Sequence, residues 1–119
     1  MDVVNTVYNE PRFETVGDTS IKFEKMGKQW MVSSIEIYEV FEEEATVNHD
    51  TMVKQFKERG EEWDDFTNSN QIIIIDCRGS TKLPKEVYYF NIVAFRFYAL
   101  SMSGTKSAEF RLAFMKKFE

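Results

Sequence analysis

The stretch SSIEIYEVFEEEATVNHDTMVKQF, residues 33–56, decides the fold because it contains two short amphipathic helices joined by a tight connection. Ser33 or Ser34 can accept hydrogen bonds from the free N–H groups of a helix start. Glu36 would lie in the first turn, where the helix dipole favours an acid. The apolar residues that follow recur at helical spacing on one face: Ile37, Val40 and Phe41.

The second half of the stretch repeats this design. Asn48 or Asp50 can cap a helix whose apolar face is formed by Met52, Val53 and Phe56. The opposite face carries Asp50, Thr51, Lys54, Gln55 and Lys57. A DNA reader lays such a face in the major groove. The two halves together therefore predict a helix-turn-helix.

Length and composition fit one intracellular domain. A chain of 119 residues with 43% apolar content can fill one core. The single cysteine, Cys77, excludes an internal disulfide and favours a reducing compartment. We find no long apolar run and no basic leader followed by an apolar segment, so we expect neither a membrane span nor a signal peptide. We therefore expect a soluble, cytoplasmic protein.

The formal charge of −5 is unevenly distributed along the chain. Residues 31–70 contain eleven acids and three bases, whereas residues 71–119 contain four acids and eight bases. The helix-turn-helix thus lies in the acidic part of the chain. Because nucleic-acid affinity depends largely on Lys and Arg meeting phosphate, this distribution disfavours a strong nonspecific grip through the second helix.

The segments before the helix pair predict an arm and a hairpin. Residues 1–20 are weakly patterned and are interpreted as an N-terminal arm, with a possible short strand in residues 3–8. The folded domain is expected over residues 21–119. Ile21 and Phe23 alternate with charged residues, Gly27 marks a turn, and Trp30 and Val32 alternate again. This pattern predicts a β-hairpin that leads directly into the first helix.

A second hairpin is predicted after the helix pair. The second helix either ends at Gly60 or continues through it, with Trp63 extending the apolar stripe. Residues 67–70 are polar and predict a loop. Residues 72–75 are four consecutive isoleucines and predict a strand, and residues 86–90 predict its partner. A hairpin in this position is a wing, so we predict an α+β fold: a winged helix-turn-helix-like module.

Two C-terminal helices complete the predicted module. Asn91 can cap the first, and Ser103 and Gly104 interrupt the pattern before the second. The second helix is apolar on more than one side, which indicates either deep burial or a seam between two subunits. The residues predicted for such a homodimer seam are Phe110, Phe114 and Phe118.

Three stretches at their observed spacing are similar to one family. The first is FEKMGKQWMVSSIEIYEVF, residues 23–41, and the third is YYFNIVAFRFYALSMSGTKSAEFRLAFMKKF, residues 88–118. The second consists of His49, Asp50, Met52, Val53, Lys54 and Phe56. Over residues 21–119 the chain resembles the phage regulatory protein Rha family, a relative of phage antirepressor and KilA-N-type regulators.

The resemblance implies a phage or prophage regulatory protein that acts in the host cytoplasm through a winged-helix-like DNA-binding module. Second-helix side chains would meet base edges and phosphates, Gln55 being suited to adenine, and the wing would hold the neighbouring backbone. The predicted DNA-binding residues are His49, Thr51, Lys54, Gln55, Lys57, Arg59, Arg78, Lys82 and Lys85.

The sequence also departs from that family. Basic residues usually precede the position of His49, but here Glu42, Glu43 and Glu44 stand in the connection and would repel phosphate. Tyr38 replaces a small residue where the helices cross, so the pair must open or the ring must find another pocket. The chain ends at residue 119, where longer relatives continue, and we expect the module to act alone.

Two functions from different classes therefore remain open. The first is a dimeric regulator that binds double-stranded DNA. The second is a small phage inhibitor, an antirepressor or an anti-host-defence protein, that binds a basic protein surface through Glu42, Glu43 and Glu44 and mimics DNA. We predict no enzymatic activity and no metal or cofactor, because the sequence contains no nucleophile motif, phosphate loop or metal-ligand spacing.

Overall fold

The structure, a computed structural model, describes residues 12–16, 19–41, 48–102 and 105–118, with side chains for 20–41, 48–102 and 107–113. It is an α+β fold in which the described part of the chain forms five strands and five helices. In chain order the elements are β1 (Arg12–Val16), β2 (Thr19–Met26), β3 (Gln29–Ser33), α1 (Ser34–Phe41), α2 (His49–Lys57), α3 (Glu61–Asn68), β4 (Ile72–Asp76), β5 (Glu86–Asn91), α4 (Ile92–Tyr98) and α5 (Thr105–Phe118).

The strands form one antiparallel sheet in the order β1-β2-β3-β5-β4. The first half of β2 pairs with β1 and its second half pairs with β3, so that β1 extends a four-stranded sheet. Strand β5 lies between β3 and β4, pairing Val32 with Phe90 on one side and Ile72 with Phe90 on the other. The predicted hairpins β2–β3 and β4–β5 are both confirmed.

The helix pair begins at the residues that the sequence offered as caps. Ser33 Oγ accepts the Glu36 N–H at 3.0 Å, which starts α1. Asn48 Oδ1 accepts the Thr51 N–H at 2.9 Å, which selects Asn48 over Asp50 as the cap of α2. Both helices bury the predicted apolar faces: Ile37, Val40, Phe41, Met52, Val53 and Phe56. The two predicted helices are therefore confirmed.

The chain after α2 follows the predicted alternative in which the helix stops by Gly60, but it then forms a helix that the sequence did not predict. Gly60 has φ 80° and ψ −126°, a backbone conformation that L side chains rarely adopt, and it separates α2 from a third helix. The new helix, α3, buries Trp63 and extends to Asn68, so the predicted loop over residues 67–70 is wrong in its first half. The acids in the first turn of α3 suit the positive end of the helix dipole.

The N-terminal segment also contains more regular structure than predicted. Strand β1 pairs along its whole length with β2, from Arg12 opposite Phe23 to Val16 opposite Thr19. Residues 12–16 thus belong to the sheet, where the sequence predicted an arm. The strand predicted in residues 3–8 lies outside the described residues.

The core is an aromatic cluster between the sheet and the helices. Tyr98 of α4 lies at its centre, fully buried, with its ring centroid 5.1 Å from that of Phe56 and 5.9 Å from that of Trp63. Asn91 caps α4 as predicted, accepting the Ala94 N–H at 3.0 Å. The other aromatic members of the cluster are Phe23, Phe41, Tyr88, Phe90, Phe95 and Phe110.

Helix α5 packs on the core through Phe110, whose ring centroid is 5.7 Å from that of Phe41. Phe110 is only 1% exposed, so its predicted place in a dimer seam is wrong for the folded chain. Leu112, on the same helix, is 60% exposed. The side chains of Phe114 and Phe118 lie outside the described residues.

Candidate functional site

A cleft of about 250 Å³ opens between α2 and the loop end of the β4–β5 hairpin. Its walls come from α2 and from the start of β5. Three of the predicted DNA-binding lysines therefore face the same space, although they are separated by up to 31 residues in the sequence. The residues that line the cleft are Asp50, Val53, Lys54, Lys57, Lys85, Glu86 and Tyr88.

Tyr88 organises one wall of the cleft. Its hydroxyl accepts a hydrogen bond from Lys57 Nζ at 2.7 Å and donates one to Glu86 Oε1 at 2.9 Å. The Lys57 ammonium also lies 4.7 Å from the centroid of the Tyr88 ring and 5.7 Å from that of Trp63, within the range of cation–π attraction. Burial raises the pKa of Tyr88, so the phenol stays protonated and can donate to Glu86 at neutral pH.

The two acids of the cleft are bonded to groups other than the lysines. Asp50 Oδ1 lies 3.2 Å from His49 Nδ1, and Glu86 accepts from Tyr88. Within the described ranges, Lys54, Lys57 and Lys85 form no salt bridge with a carboxylate. The cleft thus contains three ammonium groups against two carboxylates, and none of the three is neutralised by direct contact there.

His49 is not available as a phosphate contact, contrary to the prediction. It is 9% exposed, and its Nε2 lies 2.8 Å from Ser34 Oγ, at the start of α1. Ser34 Oγ also accepts the Tyr88 N–H at 3.0 Å. A serine that accepts from one partner has its hydroxyl proton free to donate to His49, which assigns the Nδ1–H to the bond with Asp50.

This Ser–His–Asp chain has the connectivity of a hydrolase triad, but Ser34 is fully buried, so no substrate can reach its hydroxyl. These hydrogen bonds instead join α1, α2 and β5. Tyr38, the bulky residue at the helix crossing, packs edge-on against the same histidine, with ring centroids 6.2 Å apart. The tyrosine has therefore found a pocket between the two helices.

The remaining predicted residues of α2 are divided between two surfaces. Lys54 and Gln55 are exposed on its outer face, whereas Thr51 is half-buried. Arg59, just after the helix, lies on α4: its guanidinium donates to Ser101 Oγ at 2.9 Å and lies 5.2 Å from the centroid of the Phe97 ring. Arg59 therefore serves the packing of α4 and does not line the cleft.

The hairpin loop carries the other predicted contacts. Arg78 donates to Asp76 Oδ2 at 2.7 Å, and this hydrogen bond lowers the pKa of the aspartate, so the pair is largely neutral as a unit. Lys82 is exposed, and Ser80 Oγ accepts its backbone N–H at 3.1 Å. Glu42, Glu43 and Glu44, the predicted partner-binding residues, lie outside the described residues.

Sequence reasoning missed Tyr88 and Glu86 as parts of the site. Both belong to a stretch that the sequence predicted only as the second strand of the hairpin, and the bond from Lys57 to Tyr88 spans 31 residues. A weak signal was present, because Lys85 directly precedes that strand and Glu86 is its first residue.

Among the helices that the structure describes, none has the length and apolar character needed to cross a bilayer. Comparisons of the chain with protein-family models, with curated proteins and with solved structures find no match.

Proposed function

We propose that the protein is a phage or prophage regulatory protein of the Rha or antirepressor type that binds double-stranded DNA through α2 and the β4–β5 hairpin. The observation that carries the proposal is the convergence of Lys54 and Lys57 from α2 with Lys85 from the hairpin on one cleft. Ammonium groups without a neutralising carboxylate are the side chains that bind a phosphate backbone.

The order of the elements supports this proposal. Helix α2 follows α1 after a short connection and has an exposed polar outer face, as the second helix of a helix-turn-helix has. The β4–β5 hairpin lines the same cleft as α2, which supports its interpretation as a wing. Helix α3 is an addition to that plan, and its buried Trp63 packs against Tyr88 and Phe90 of β5.

The exposed residues divide into base and backbone contacts. Gln55 has the amide that pairs with both hydrogen-bonding atoms of adenine in the major groove, and Lys54 lies beside it. Lys82 of the hairpin loop would hold the neighbouring backbone. Asp50, whose side chain is 82% exposed on the same helix, opposes phosphate and limits nonspecific affinity.

The test is binding of labelled DNA, selected from a randomised duplex library or cut from the encoding genome, measured by fluorescence anisotropy at low and at physiological salt. We expect Lys54→Glu to abolish salt-sensitive binding. Lys28→Glu is the matched control, because it makes the same charge change in the exposed β2–β3 turn, away from the cleft. If the wild-type chain binds no duplex even at low salt, the proposal is wrong.

A second candidate function, inhibition of a basic protein, is favoured by the surface of α3. This helix exposes four carboxylates, from Glu61, Glu62, Asp64 and Asp65, within the part of the chain that carries eleven acids. Together with Glu42, Glu43 and Glu44 they would complement the DNA site of a repressor or of a host defence nuclease. Replacing Glu42, Glu43 and Glu44 with Gln should weaken salt-sensitive capture of such a partner from host lysate. Unchanged capture would contradict this candidate.

A further inference from the structure

We propose that the cleft between α2 and β5 binds one phosphate of the DNA backbone, held by Lys54, Lys57 and Lys85, and that Tyr88 is a positioning residue for Lys57. This inference rests on the proposed function and adds to it the group that is bound. It also assigns to Tyr88 and Glu86 a role in holding the site ready.

The size of the cleft suits a phosphate. Its volume of about 250 Å³ corresponds to about eight water molecules at roughly 30 Å³ each. A phosphate with its two ester oxygens fits within this space. Val53 also lines the cleft and is buried, so the groups there that can meet a ligand from solvent are mostly polar or charged.

The position of the cleft suits the backbone. If α2 lies in the major groove and the hairpin lies over the adjacent groove, the DNA strand that separates the two grooves must pass between α2 and the hairpin. That passage is the cleft, which α2 lines on one side and β5 on the other.

The hydrogen bonds leave the lysines free to donate to a phosphate. Lys57 uses one of its three N–H donors on the Tyr88 hydroxyl and keeps two. No hydrogen bond from the ammonium groups of Lys54 or Lys85 is found to any described residue. Three ammonium groups of this kind can share the charge of a single phosphate.

Tyr88 acts on the site through its neighbours. Its ring and that of Trp63 hold the Lys57 ammonium in place, so less side-chain freedom is lost when the phosphate binds. Its hydroxyl also engages the Glu86 carboxylate, which would otherwise be free to pair with a lysine of the cleft. Tyr88→Phe should therefore weaken DNA binding, and adding Glu86→Gln should restore it.

The experiment measures affinity for the selected duplex over a series of salt concentrations. Wild type is compared with the double variant Lys57→Gln, Lys85→Gln. We expect the slope of log K against log salt concentration to fall in magnitude by at most about 0.9, the contribution of one phosphate, because Lys54 remains in the cleft. The control removes two charges elsewhere, with Lys22→Gln and Lys28→Gln in β2 and its turn, and should keep the wild-type slope. Thermal unfolding checks that each variant is folded.

A second arm changes the DNA instead of the protein. A neutral methylphosphonate replaces one phosphate at a time, and at one position it should weaken binding of the wild type but not of the Lys57→Gln, Lys85→Gln variant. If DNA binds but the slope is unchanged and no position shows this dependence, the phosphate site is wrong while the proposed function stands. If the wild type binds no duplex, both are wrong.

Discussion

The Ser34 hydroxyl provides a sharp test of how the helix pair is held to the sheet. Ser34→Ala removes two buried hydrogen bonds at once, the one to His49 Nε2 at 2.8 Å and the one from the Tyr88 N–H at 3.0 Å. Each leaves a buried polar group without a partner, which costs about 1–3 kcal/mol. Because His49 is 9% exposed and can recover part of its loss with water, we expect a total of about 2–4 kcal/mol.

The neighbouring residue is a matched control. Ser33→Ala makes the same chemical change one position earlier, where the hydroxyl only accepts the Glu36 N–H. Loss of such a cap costs about 1 kcal/mol. Urea unfolding followed by circular dichroism should therefore show a midpoint clearly lower for Ser34→Ala than for Ser33→Ala, with the same m-value in both.

A double-mutant cycle separates the two partners of Ser34. The free energies of unfolding of Ser34→Ala, His49→Ala and the double variant should show a coupling of about 0.5–3 kcal/mol. If Ser34→Ala costs no more than Ser33→Ala, the hydroxyl does not join α1 to α2 and β5. If the effects of Ser34→Ala and His49→Ala simply add, it does not join α1 to α2.

Three further predictions concern the core and one turn. Tyr98→Phe removes a buried hydroxyl that finds no hydrogen-bond partner within the described ranges, so the free energy of unfolding should stay the same or rise by about 1 kcal/mol. Burial raises the pKa of Tyr98 to about 12, so the folded chain should lose stability as the pH rises from about 10 to about 12, and unfolding curves should show a smaller loss in Tyr98→Phe. Phe110→Ala should cost about 3–5 kcal/mol in urea unfolding, whereas Leu112→Ala should stay within about 0.5 kcal/mol of wild type; a small effect of the first would contradict its place in the core. Gly60→Ala should cost about 1–3 kcal/mol because of its φ of +80°, although a Cβ there would meet nothing within 4 Å; Gly79→Ala, equally open and without a positive φ, should be tolerated.

The parts of the fold that could be predicted are those in which a local pattern decides the structure. Helices α1 and α2 follow from apolar spacing and caps, and β4 follows from four consecutive isoleucines. Helix α3 was not predicted as a separate element because its eight residues contain only two apolar anchors, Trp63 and Phe66. The acids in its first turn were the available signal, since a helix dipole favours them.

The candidate site was predictable in its lysines but not in its arrangement. Periodicity placed Lys54 and Lys57 on the outer face of α2, and the hairpin placed Lys85 beside a turn. Periodicity could not show that the side chain of Arg59, two residues after Lys57, packs on α4. The hydrogen bond of Arg59 to Ser101 joins residues that are 42 positions apart in the sequence. The same limit applies to His49, a lone histidine at a helix start that was predicted to contact DNA. Its side chain is instead buried, with Nε2 beside the Oγ of Ser34, fifteen residues earlier.

The central position of β5 has a consequence for the order in which the chain can fold. Strands β3 and β4 are joined only through β5, and the pair from Met31 to Asn91 closes 60 residues of chain. During synthesis, α1, α2 and α3 are therefore complete before the strand against which they pack has been made. Contacts so distant in sequence slow folding. We expect nascent chains that end before Glu86 to remain sensitive to protease, and chains that extend past α4 to acquire resistance in a single step.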